Sequence, residues 1–266
     1  IRFTGIVPSV AYNLALPWLF ALTAGGVFSI VYGLAELTLR AKRVPAWSRR
    51  SPIYAGLLGV LFVVVAGNID GLIQVFQGAV RVFSQNEGFG QFDFWRSSRM
   101  MAPDSLGHEI TEFPFFTFLF ADLHAHLIAI PVAITALGAT IAAFLRIGRN
   151  RPKFETMTGL VVIGVLVGSL RTINAWDFPT QLILTGTFLI GGQLLSSRRA
   201  FLERLMIGIA STALVVIVGY AVYLPFHTSF ELFNNGVVKS QFTTELWRYI
   251  LIHSIFIFLI ISWIVF

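Results

Sequence analysis

The sequence predicts an all-α fold, a polytopic transmembrane helix bundle of about seven spans, and three observations carry that prediction. Of 266 residues, 56% are hydrophobic and only 12% charged, with a mean hydropathy of +0.79. A soluble domain carries a charged share of about a quarter. Apolar stretches recur at the roughly 20-residue length that crosses a ~30 Å hydrocarbon core as a helix. The cations gather in alternate connections between those stretches, as the positive-inside rule requires of a membrane protein.

Seven apolar segments follow in order, over residues 10–39, 52–83, 115–145, 157–173, 179–195, 205–224 and 247–266. The first three exceed what a bilayer needs, so tilts, kinks or interfacial extensions are expected. Pro17 and the Gly25-Gly26 pair would bend the first, and Asn68 and Asp70 interrupt the second. The connection after segment one holds Arg40, Lys42, Arg43, Arg49 and Arg50. The one after segment three holds Arg146, Arg149, Arg151 and Lys153, and the one after segment five holds Arg198, Arg199 and Arg204. Together these carry 12 of the 19 Lys and Arg residues. They fall on one side, which the positive-inside rule makes cytoplasmic. The expected localisation is therefore the cell membrane, multi-pass, with lipid headgroups as partners of the basic loops.

Organisation reads as a single transmembrane domain over residues 1–266, cut from a longer protein at both ends, with 84–114 as an extracytoplasmic loop. The chain has no cysteine, so disulfides, thiolate chemistry and Cys-ligated metals are excluded. A sequence pI near 10.1 is a topology signal here, since the basic loops are short and lack aromatic stacking platforms; nucleic acid is not an expected partner.

Polar chemistry collects on the opposite face. Glu87, Asp93, Asp104, Glu109, Glu112, Asp122, Asp177, Glu231 and Glu245 lie on or beside it, with His108, His124, His126 and His227. The densest cluster is Asp122-Leu123-His124-Ala125-His126, placed between an aromatic run (113–120) and an uncharged stretch (127–145). A charge at mid-bilayer costs roughly 2.5–3.5 kcal/mol on insertion scales, so the cluster should sit at the mouth of a span. In a helix Asp122 and His126 share a face; in an extended chain Asp122, His124 and His126 do. Either these groups cap the start of a helix or at least one acts on a substrate. Extended geometry would also give an acceptable divalent-metal site, but no metal or other cofactor is assigned.

Glu112 precedes Phe113-Pro114, and proline disfavours helix at the residue before it. The chain should turn there and aim Glu112 over the mouth of segment three, where it could pair with Asp122 and divide acid and base duties. Otherwise it is a surface glutamate. Asn174-Ala175-Trp176-Asp177-Phe178-Pro179 separates two spans by a short reversal. Trp176 suits either the membrane interface or a sugar face, and Asp177 can accept hydroxyl hydrogen bonds. Arg171, one turn earlier, needs an anionic or carbonyl partner because it lies inside the end of a span. In Phe94-Trp95-Arg96-Ser97-Ser98-Arg99, the cations Arg96 and Arg99 would clamp a phosphate or pair with lipid headgroups.

Five motifs together resemble a known family: Tyr12-Asn13-Leu14-Ala15, Phe94-Trp95-Arg96-Ser97-Ser98-Arg99, Ile110-Thr111-Glu112-Phe113-Pro114-Phe115-Phe116, Phe120-Ala121-Asp122-Leu123-His124-Ala125-His126 and Asn174-Ala175-Trp176-Asp177-Phe178-Pro179. They look like the YYY-type polytopic membrane proteins of green filamentous bacteria and archaea, a family of uncharacterised function. The chain departs from that pattern at Ala125, where the family has proline. The family's pattern is similar in turn to the glycosyltransferase-C superfamily, multi-span enzymes that take a sugar from a polyprenyl-phosphate donor at the outer membrane face.

That resemblance implies an integral membrane glycosyltransferase. Asp122 or Glu112 would be the base or acceptor-orienting group, with His124 or His126 as a polar partner. Arg171, Arg96 or Arg99 would hold the donor phosphate, and Trp176 and Asp177 the sugar. The rival reading is a non-enzymatic structural or accessory subunit of a larger membrane complex, for which 26 Phe residues offer partner-facing surface. A proton-relaying transporter is a third, disfavoured by the lack of a visible inverted repeat. The sharpest expectation is geometric: Glu112, Asp122, His126, Arg171 and Asp177 should line one external cavity.

Overall fold

The computed structural model describes residues 5–45, 50–101, 103–104, 107–108, 110–147, 153–196, 199–231 and 243–265. Arg49, Glu109, Arg149, Arg151 and Arg198 lie outside the described residues, as do the side chains of Asp104, His108 and Lys153. Among those described, six helices are long and apolar enough to cross a membrane, or seven with one bent pair counted as a single span. The all-α polytopic bundle is thus the architecture found. Its contacts separate into two compact units, Ile1–Ile30 with Leu123–Asn235, and Val31–Asp122 with Gly236–Phe266.

The first unit is built on α1 (Pro8–Ala41), whose first part belongs to it, and on α5 (Ala125–Arg146), α6 (Lys153–Ile173), α7 (Asp177–Leu195) and α8 (Phe201–Val222). The short helix α9 (Leu224–Ser229) follows. Helix α1 runs unbroken through Pro17, Gly25 and Gly26. The core joins Ala136 of α5, Leu160, Ile163 and Val167 of α6, Leu189 of α7 and Val215 of α8.

Lipid tails are as apolar as leucine, so helix association in a membrane depends on close packing rather than on expelling water. Small residues supply it. Gly164 and Gly168 on α6 form a G-x-x-x-G pair against α8, and a Cβ on Gly168 would lie 2.6 Å from the Gly219 Cα. Gly26 of α1 likewise accepts Ile134 of α5, whose Cγ2 would stand 2.9 Å from an added Cβ. Buried polar side chains find partners across the bundle: the Thr140 and Thr185 hydroxyls join α5 to α7 at 3.2 Å.

The second unit departs from the sequence reading in its first apolar stretch. The apolar stretch 52–83 is two helical pieces, and they are bent by 87°. Helix α2 (Ser51–Val60) passes into a π-helical turn, Leu61–Val65, which closes on the Ala66 N–H donating to the Leu61 carbonyl at 2.6 Å. Gly67 is a weak helix former, and Asn68 competes with the helix by accepting the Asp70 N–H on its own side chain at 3.1 Å. Helix α3 (Asp70–Ser84) then starts in a new direction.

Its amphipathicity is inverted. Asp70, Gln74 and Gly78 form the buried face, while Leu72, Val75, Phe76 and Phe83 are exposed. The bent pair is a broken span or a re-entrant loop, and α3 turns its apolar face outward.

The loop after α3 includes a two-residue antiparallel ladder, β1 (Pro103–Asp104) with β2 (Gly107–His108). Helix α4 (Pro114–Phe120) follows, and α10 (Leu246–Val265) closes the unit. Phe113 of the second unit stacks on Phe256 of α10 at 6.3 Å, and Arg248 donates to the Met100 carbonyl at 2.6 Å. The same guanidinium holds the Glu245 carboxyl below its ordinary range by a hydrogen bond. The expected segment 115–145 is also divided, since α4 ends on Ala121 in the left-handed conformation (φ 58°) and α5 begins only at Ala125.

Replacing Gly168 by valine should separate α6 from α8 and lower the melting temperature in detergent, with a cost of about 1–3 kcal/mol for overpacking. Gly191→Ala is the matched control, because an added Cβ there meets nothing within 4 Å; it should melt no lower than the parent.

Candidate functional site

At one end of the first unit, α6 finishes and α7 begins within four residues. The Asn174 N–H donates to the Leu170 carbonyl at 2.7 Å, and the Asp177 N–H to the Asn174 carbonyl at 3.1 Å, which turns the chain tightly. Asn174 is buried, and its amide nitrogen serves two partners. It donates to Asp177 Oδ2 at 2.9 Å and lies 2.9 Å from His126 Nδ1. With the amide as donor, His126 accepts through Nδ1 and carries its proton on Nε2. His126 is thereby tied to the α6–α7 reversal while its Nε2 remains available. Asp177 stands in the first turn of α7, where a carboxylate is favoured by the helix dipole.

His124 is extended (φ −103°, ψ 173°) and occupies the position before α5 without a capping hydrogen bond from its side chain, so the Asp122–His126 string is neither a helix nor a strand throughout. Its ring meets that of His126 edge-on at 5.5 Å. The Leu123 N–H in this break donates to the Tyr12 hydroxyl at 2.9 Å, which anchors the start of α5 to α1. Among the described residues, no three His, Asp or Glu side chains gather as a metal ion would need.

Arg171 lies in the last turn of α6. Its Nε donates to His227 Nδ1 at 3.3 Å, and its guanidinium sits 5.8 Å from the Phe178 ring centre. His227 is itself stacked on Tyr220 at 4.7 Å. The two terminal amino groups of Arg171 make no hydrogen bond to any described residue. Trp176, in the reversal that follows, is 75% exposed. One turn into α7 from Asp177, Gln181 is buried with its amide nitrogen unpartnered among the described residues.

The second unit holds a separate network. Asp70 is buried and accepts from Arg96 Nε at 2.8 Å and from Gln74 Nε2 at 2.7 Å. Gln74 also pairs with the Asp93 backbone in both directions, at 2.9 and 2.8 Å. Asp93 Oδ1 receives the Trp95 and Arg96 N–H groups, and Asn68 donates to the Ser97 carbonyl at 2.5 Å. Arg96 is thus held by Nε, with its side chain 42% exposed. Arg99 donates to Ser98 and lies over Trp95 at 5.0 Å. Glu112 accepts the Thr117 hydroxyl at 3.4 Å, after the turn that Pro114 dictates at an extended Phe113. Asp122 is exposed.

Glu112 and Asp122 therefore belong to the second unit, while His126, Arg171 and Asp177 belong to the first. Within the first, Asn174 brings His126 and Asp177 together, and Arg171 takes His227. Sequence reasoning gave no individual role to Asn174, His227, Gln74 or Asp93. The signal for one of them was present: Gln74 lies four residues after Asp70, a second polar residue in the same apolar run.

Over residues 1–266 the chain matches the model of a family described as uncharacterized membrane protein (DUF2298). The chain belongs to that family. No curated protein and no solved structure matches it.

Asn174→Ala in this member of DUF2298 should uncouple His126 from Asp177 and cost about 1–3 kcal/mol, the range for leaving buried polar partners unmet, read as a lower melting temperature. Asp70→Ala should free the loop from α3, and backbone amides 93–98 should exchange about tenfold faster, with little change in α6–α8; equal protection in both proteins would show that the ion pair does not hold the loop.

Proposed function

We propose that the protein is an integral membrane glycosyltransferase, of the glycosyltransferase-C kind, that takes a sugar from a polyprenyl-phosphate donor at the extracytoplasmic face. The observation that carries the reading is Arg171. A part-buried guanidinium at the end of a span, with both terminal amino groups unmatched by described residues, is suited to an incoming anion. A donor phosphate is such an anion, and it gains charge as the bond from the anomeric carbon to its oxygen breaks. Preorganised cations are what that step requires.

Residues of the reversal after Arg171 and of the first turns of α7 support a sugar at this end of the unit. Trp176 offers an exposed aromatic face, Asp177 an acceptor for hydroxyls, and Gln181 a buried donor one turn deeper. The acceptor hydroxyl attacks the anomeric carbon and gives up its proton to a base. The basic connections face the cytoplasm and the 84–114 loop the outside.

A second reading is favoured by one observation. Only 6% of the apolar window of α10 is buried within the chain, which leaves a long aromatic helix face for another membrane subunit. An accessory subunit would co-purify with its partner at fixed stoichiometry.

The deciding experiment uses full-length protein in nanodiscs with a radiolabelled polyprenyl-phosphate sugar. Arg171→Ala should weaken donor binding at least about tenfold, the 1.4 kcal/mol of one charge-assisted contact. Unchanged donor binding in Arg171→Ala, with no sugar transfer by the parent, would favour the accessory-subunit reading. Sidedness is tested by labelling protein whose only cysteine is the introduced one, which requires no change within residues 1–266: a membrane-impermeant maleimide should label Glu87→Cys in intact cells, and Arg43→Cys only after permeabilisation.

A further inference from the structure

The opposite end of the first unit, where α5 and α7 finish and α6 and α8 begin, contains a cavity of about 700 Å³. Its floor is apolar, with Ala139, Ala143, Leu160 and Leu189 among its walls, and three of the four helices contribute small or core residues there. Small residues keep it open: a Cβ added at Gly159 would meet nothing within 4 Å. Its rim carries Arg146, Arg199, Gln193 and Ser196, with one acid, Glu155. Arg199 is paired with Glu203. Arg146, the last residue of α5, is exposed and makes no hydrogen bond or ion pair with a described residue.

We propose that this cavity binds a lipid with a phosphate head and a hydrocarbon tail, the head at Arg146 and the tail along the alanine-lined floor. A soluble anion would need the cations but no hydrocarbon chamber, and a neutral lipid would need the chamber but no guanidinium at its rim. The volume lies within the usual 300–1,000 Å³ of ligand pockets. The end of the unit agrees, because its helix junctions carry the basic connections that positive-inside places at the cytoplasmic leaflet, where anionic lipids concentrate. This site lies at the other end of the unit from Arg171, and a failed sugar-transfer assay would leave it standing.

Full-length protein is reconstituted in phosphatidylcholine nanodiscs containing a minor share of either phosphatidylglycerol or polyprenyl phosphate, and co-purifying lipid is measured by native mass spectrometry after delipidation. The parent should retain one of these phosphate lipids above its bulk share; the arm that retains it identifies the tail as acyl or isoprenoid. Arg146→Gln should cut retention about fivefold, as the loss of one headgroup cation predicts. Gly159→Phe keeps every charge and fills the chamber, so it should cut retention at least as far while its melting curve stays cooperative. Parental retention in Gly159→Phe would reduce the effect to surface attraction and overturn the cavity site. No enrichment in either arm, or parental retention in Arg146→Gln, would overturn the proposal as well; that arm also covers the case in which Gly159→Phe fails to fold.

Discussion

A hydrocarbon solvent leaves every polar group to be satisfied by the protein itself, and the architecture follows from that constraint. Helices satisfy their own backbones, so most of the chain is helical. Where the chain leaves the helix, side chains make up the difference. Asn68 accepts the Asp70 amide at the break before α3, and Tyr12 accepts the Leu123 amide at the break before α5. At the α6–α7 reversal Asn174 bonds through its backbone to Leu170 and Asp177, and through its side chain to Asp177 and His126. The same residues that repair the backbone at these breaks are the ones that assemble polar sites.

Close packing is the second consequence. With no hydrophobic drive between spans, α6 and α8 gain from dispersion and from approach of their backbones, which Gly164, Gly168 and Gly219 permit. Small residues work differently at the other end of the unit: Gly159 and Ala139 face space. One residue class thus seals the bundle at one level and hollows it at another. The distinction depends on which helix face each residue occupies.

Much of the site was legible in the sequence because ionisable residues are rare in membrane segments. Arg171, Asp177 and His126 stood out for that reason, and the first unit holds all three. Asn174 did not stand out, since a neutral amide beside a turn is ordinary; its importance comes from being buried between two partners. Asp93 was one loop acid among several until its carboxylate was found capping the Trp95–Arg96 turn.

The sequence by itself determined the class and the approximate limits of most of the spans. Hydropathy depends only on composition along the chain, and a helix in lipid is self-contained. It also located the weak points, because Asn68, Asp70 and the Asp122–His126 string interrupt apolar runs. Only the tertiary structure decided what those interruptions do. The 87° bend before α3 and the division of α4 from α5 depend on partners distant in sequence, such as Ser97 for Asn68 and Tyr12 for Leu123. A polar residue announces that it needs a partner. Which partner it takes is a matter of packing in three dimensions, where hydropathy along the chain carries no information.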